Sequence, residues 1–142
     1  MRPSSQIKWP YYRTRSGYDL PYINARIQTE RGVSGPNLFI VDTGALFSFA
    51  PYSYSQDVAD LTQVVKVKTP CVTVNGTTLE GYPVDVKLTL LPSGRVVKEC
   101  VYFAEKNELA IAVLGHQSFL KQFPALFWTG NGNGSLTLFN VP

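Results

Sequence analysis

Few residues in this chain of 142 can do chemistry at neutral pH, and one triplet among them stands out. Asp42-Thr43-Gly44 sits between two apolar runs in "NLFIVDTGALFSFAP" (37–51). An ionised carboxylate is costly to bury unless it is paired or put to use. Two carboxylates that share one proton offer such a use. One takes a proton from a water molecule while the other donates to the carbonyl that the water attacks. Groups about 3 Å apart cannot both ionise, so their pKa values separate. That chemistry needs a sharp loop at the acid. Gly44 permits one and leaves its N–H near the carboxylate, and a Thr43 hydroxyl can lock two such loops together.

Other reactive side chains form no comparable group. Cys71 and Cys100 lie in no CxxC or metal-ligand spacing, and His116 is the single histidine, so a zinc site is not expected. The two thiols are expected as small buried hydrophobes, paired or free. His116 reads as a polar residue at a helix start, with no serine or cysteine nucleophile arranged around it. Asp19, Asp57, Asp60 and Asp85 lack a following Thr-Gly or Ser-Gly.

Short alternating or β-branched runs separated by turn residues must position these groups. "YINARIQ" (22–28) and "NLFIVD" (37–42) read as two strands of a hairpin across "TERGVSGP". "CVTV" and "TTLEGYPVDVKLTLL" meet at Asn75-Gly76, which suits a type I′ turn. In "VDVKLTL", Val84, Val86, Leu88 and Leu90 share one face and predict a half-buried strand. "PSG" (92–94) turns it into "RVVKECVYFA", and "GNGNG" joins "ALFWT" to "SLTLF" in a last hairpin. Helix signals are few. "HQSFLKQF" (116–123) stops at Pro124 with Phe119, Leu120 and Phe123 on one face, and "SQDVADL" (55–61) suggests a turn or two. The fold class is therefore all-β, a set of hairpins with one short C-terminal helix.

Size and composition fit one globular domain, with 44% hydrophobic and 16% charged residues. Residues 1–16 read as a flexible N-terminal arm, and 17–142 as the domain. The net charge of +3 is scattered apart from Arg2, Lys8, Arg13 and Arg15. A nucleic-acid-binding barrel would need a concentrated basic face, so nucleic acid is not an expected partner, although Trp9, Tyr11 and Tyr12 lie among those charges. No run is long enough to span a membrane, and no apolar leader follows Met1-Arg2-Pro3, so the default expectation is a cytoplasmic protein away from membranes.

Four pieces in order resemble the retropepsin-like single-domain aspartic peptidases, the group of retroviral-protease type with bacterial and ubiquitin-shuttle-like relatives. They are "FIVDTGALFSFAP", the hairpin "VTVNGTTLEGYPVDVKL", "IAVLGHQSFLKQF" and the closing "LFWTGNGNGSLTLF". The resemblance implies a closed barrel with a flap hairpin, and hydrolysis of peptide bonds without metal or organic cofactor. It implies Asp42 as the catalytic acid and base, supported by Thr43, Gly44, Leu114 and Gly115. Ala45 and the flap tip Val74, Asn75, Gly76 and Thr77 would meet an extended peptide or protein substrate. One chain supplies one Asp-Thr-Gly, so the implied enzyme is a homodimer with an Asp42 from each copy. The pattern departs where retroviral members often carry an acid and an arginine, positions held here by Leu46 and His116. That departure leaves an alternative, a weakly active or inactive peptide-binding or dimerisation module of the same fold.

Overall fold

The computed structural model describes residues 5–72, 78–130 and 132–142, with only the backbone at 69–72 and 78. Thirteen strands follow one another: β1 (Ile7–Pro10), β2 (Tyr12–Arg13), β3 (Asp19–Leu20), β4 (Tyr22–Thr29), β5 (Gly32–Val33), β6 (Asn37–Val41) and β7 (Ser48–Ala50). Then come β8 (Val67–Val72), β9 (Thr78–Leu91), β10 (Arg95–Phe103), β11 (Val113–Leu114), β12 (Ala125–Trp128) and β13 (Ser135–Leu138).

Six strands close a barrel in the order β4-β6-β11-β7-β10-β9, because β9 also pairs with β4. The expected hairpins supply most of it. β4 runs antiparallel to β6 with Ala25 opposite Asn37, and β9 runs antiparallel to β10 from Tyr82–Phe103 to Leu90–Arg95. Alternation decides which side chains fill the barrel. Val86, Leu88 and Leu90 of β9 are buried while Asp85 and Lys87 are exposed. β4 contributes Ile23, Ala25 and Ile27, and β10 contributes Val97, Val101 and Phe103. Burying a side chain such as Leu88 or Phe103 contributes about 1.5–3 kcal/mol.

A second, three-stranded sheet, β1-β13-β12, joins the same core through Ile7, Trp9, Leu136 and Leu138. Residues 7–10 of the expected arm are therefore strand β1, paired antiparallel with β13 (Ile7 opposite Leu138). Trp9 is buried, and its indole Nε1 donates to the Leu91 carbonyl at 2.7 Å, which takes it out of any stacking surface. β2 and β3 form a small ribbon held by the Arg13–Asp19 ion pair.

Among the described residues, helical structure is limited to 3₁₀ turns. Residues 116–123 are a chain of tight turns ending in a 3₁₀ turn at Leu120–Gln122, with Phe119, Leu120 and Phe123 buried as their spacing predicts. Tight turns replace the expected helix between Gly115 and Pro124, and they still plug the core with the same apolar face. The turns expected within 55–61 fall at Tyr52–Ser55 and Leu61–Gln63, the second capped by the Asp60 carboxylate accepting from Thr62 N–H.

Candidate active site

The order β6-β11-β7 places β11 between the strands on either side of the Asp42 loop. β6 is parallel to β11 and β7 antiparallel to it, so residues 42–47 must cross over the C-terminal end of β11. Every backbone polar group in a crossing of this kind needs a partner. Asp42 N–H donates to the Leu114 carbonyl at 3.0 Å. His116 N–H donates to Ala45 O at 2.7 Å and Gln117 N–H to Leu46 O at 2.8 Å. The loop is tied at its start and at its far side to the same turn.

Within the loop, Gly44 N–H donates to Asp42 Oδ1 at 2.8 Å, and Ala45 N–H to Asp42 O at 3.3 Å. The carboxylate is thus held by its own turn while Asp42, Thr43 and Gly44 remain exposed. Asp42 makes no ion pair among the described residues. Its position accounts for an acid between apolar runs: Phe39 and Val41 of β6 and all of β7 are buried, and the acid stands outside them at the crossing.

Gly115 explains how closely the two segments pass. A Cβ there would lie 2.8 Å from Phe47 N and closer still to the Phe47 carbonyl. No side chain fits. Leu114 beside it is fully buried. The structure therefore brings together Asp42, Thr43, Gly44, Ala45, Leu114 and Gly115. Val74, Asn75, Gly76 and Thr77 lie outside the described residues. β8 and β9, which lead to and from them, pair antiparallel, with Val72 opposite Thr78.

Beneath the loop lies a polar group in which Ser48 belongs to the Asp-Thr-Gly-Ala motif segment and Glu99 is marked by no motif. Ser48, fully buried, accepts from Gly115 N–H at 3.0 Å and donates to Glu99 Oε2 at 2.9 Å. Ser118 Oγ lies 3.2 Å from Ser48 Oγ. Cys100 N–H donates to Glu99 Oε1 at 2.8 Å. Burial pushes the Glu99 carboxyl above its ordinary range, opposed by hydrogen bonds from Cys100 N–H, Ser48 and Ser118. One signal was available in the sequence. Val97, Glu99, Val101 and Phe103 alternate on the inward face of β10, so an acid occupies an apolar register.

The remaining reactive groups stand elsewhere. Cys100 is a free thiol, half-buried, and burial together with the nearby Asp85 charge pushes it up to about 11. It is inert as a thiolate at neutral pH. His116 is exposed on the turn below the loop, and Leu46 is 41% exposed beside the acid. Among the described residues no three His, Cys, Asp or Glu side chains gather so as to hold a metal ion, and no helix is long and apolar enough to cross a membrane.

No protein-family model and no curated protein sequence matches the chain. Among solved structures it is similar to a retropepsin-like aspartic protease from Rickettsia conorii, with a TM-score of 0.60 and 21% identity over 97% of this chain and 94% of that one. It is also similar to EIAV protease complexed with the inhibitor HBY-793, with a TM-score of 0.52 and 20% identity over 72% of this chain and 86% of that one. At these identities the likeness is one of fold, and the fold is retropepsin-like.

Proposed function

We propose that this retropepsin-like chain is a homodimeric aspartic endopeptidase whose two Asp42 carboxylates, one from each copy, activate a water molecule. The supporting observation is an exposed carboxylate on a loop pinned at both sides and locked by Gly44 N–H. Asp19 is instead paired with Arg13, and Asp60 caps a turn. One chain offers one such acid, and the chemistry needs two.

In this reading the pair rests with one shared proton. The ionised Asp42 takes a proton from water as the water oxygen adds to the scissile carbonyl carbon. The protonated Asp42 gives its proton to the carbonyl oxygen, forming a neutral diol. Proton transfer to the peptide nitrogen and return of a diol proton to the other carboxylate then break the C–N bond and restore the pair. Thr43 bonds across to the partner loop. Ala45 and residues 74–77 hold the extended substrate from either side.

A second copy has a place to add. β12 is the outer strand of its sheet, and its Leu126 and Trp128 are 51% and 58% exposed on one face. An unpaired edge of this kind is a template for another strand, and a two-fold axis closes the assembly.

Asp42→Asn tests the mechanism. Cleavage of a proteome-derived peptide library, read by mass spectrometry, should fall about 10³-fold or more. The melting temperature and the dimer should persist. Retained cleavage in that variant would sink the mechanism. A wild-type chain that sediments as a monomer at every concentration would favour the peptide-binding module, for which the exposed Leu46 in place of an acid is the motivating feature.

A further inference from the structure

We propose that Glu99 is a positioning residue for the Asp42 loop: its buried carboxyl orients the Ser48 hydroxyl and, through Ser48, the Gly115 amide on which the loop crosses. The kinetic part of this inference rests on the peptidase reading; the structural part does not.

Ser48 has one hydroxyl proton and two lone pairs. It receives the Gly115 N–H and sends its own proton to Glu99 Oε2. Ser118, 3.2 Å away, is a second hydroxyl able to donate to the same carboxylate. An ionised Glu99 therefore has three donors: Cys100 N–H, Ser48 and Ser118. A protonated Glu99 has a proton of its own to give. Ser48 can accept it, and then turns its hydroxyl proton to Ser118. Both states stay satisfied by rotation of two hydroxyls, with no movement of backbone.

What changes is the strength of Ser48 as an acceptor. A hydroxyl that donates to an anion is polarised and accepts more strongly from its own donor. Gly115 N–H is that donor. Gly115 cannot shift sideways, because its backbone already lies against Phe47. His116 and Gln117, the next two residues, hold Ala45 and Leu46 of the loop. The state of Glu99 thus reaches the loop through one hydroxyl and one amide.

Other titratable groups are accounted for. Lys98 and Cys100 flank Glu99 on β10, Asp85 stands opposite Cys100 on β9, and His116 and Lys121 lie on the turn. Strand β7 brings only Ser48. None of these forms an ion pair with Glu99 among the described residues.

The test follows the Gly115 amide by ¹H–¹⁵N NMR from about pH 3 to pH 9, spanning the range a carboxyl can reach. Wild type and Asp42→Asn should both show a single titration at Gly115, and Glu99→Gln should show none. Gln imitates the protonated acid, keeping an acceptor for Cys100 N–H and a donor for Ser48, so it should fold. A Gly115 signal that titrates in Glu99→Gln, or fails to titrate in wild type, overturns the proposal. On the best-cleaved library peptide, Glu99→Gln should lower kcat about tenfold with KM unchanged, as a small misplacement of the acid would do. Unchanged kcat in a variant whose Gly115 signal has gone flat also overturns it. If the wild-type chain cleaves nothing, the peptidase reading alone fails, and the NMR titration still decides whether Glu99 sets the Gly115 amide.

Discussion

Gly115 and Glu99 show how much of this site is decided by single atoms. A methyl group at Gly115 would meet the backbone of Phe47, which cannot swing aside as a flexible side chain can. Gly115→Ala should therefore lower the unfolding free energy by about 2 kcal/mol, the cost of forcing a close-packed contact apart. A denaturant midpoint indistinguishable from wild type would show that the crossing is looser than its geometry. Glu99 makes a prediction of opposite character, because it concerns pH. Burial holds its carboxyl above the ordinary range, so the folded chain keeps the proton longer than the unfolded one. Its stabilising contribution is complete below the unfolded carboxylate pKa and is lost as pH rises through the folded value. Glu99→Gln has no such proton to lose. Its melting temperature relative to wild type should climb as pH is raised from the acid side toward neutral, and a constant difference would contradict the raised pKa.

Strands and turns were legible in the sequence to the extent that their periodicity reported local physics. Alternation from Val84 to Leu90 placed the inward face of β9 correctly, and Phe119, Leu120 and Phe123 were identified as an apolar face. The class of turn was less visible, since the eight residues between Gly115 and Pro124 can bury the same apolar face in an α-helix and in a run of tight turns. β1 was hidden for a different reason. "IKWP" carries only two apolar residues, and its pairing with β13 is made across nearly the whole chain. Around Asp42, the triplet pointed to its own turn, whereas the Ser48–Glu99 contact joins residues 51 apart and no local pattern encodes it. β12 carries the prediction belonging to this scale. Leu126→Lys with Trp128→Lys would put charges on its exposed face, and the proposed dimer should dissociate in analytical ultracentrifugation while the monomer keeps its melting transition. A dimer that persists would move the interface away from this edge.

For the molecule as a whole, the proposed active site does not exist in one copy. Specific activity should fall with dilution once the concentration drops below the dimer dissociation constant, because the loss is of assembled sites rather than of folded chains. Activity per chain that is independent of concentration, measured beside sedimentation on the same samples, would mean that a single Asp42 works alone. The closed barrel carries no part of this dependence, since it buries its own core within one chain. The three-stranded sheet has a further consequence, which concerns the order of events during synthesis. Its central strand, β13, is made last of the three, and β1, made first, pairs with no other strand among the described residues. Until residues 135–138 have left the ribosome, Ile7 and Trp9 lack the strand they pair with, and loop closure spans almost the full length of the chain. A nascent chain therefore carries β1 without its strand partner through nearly all of its translation.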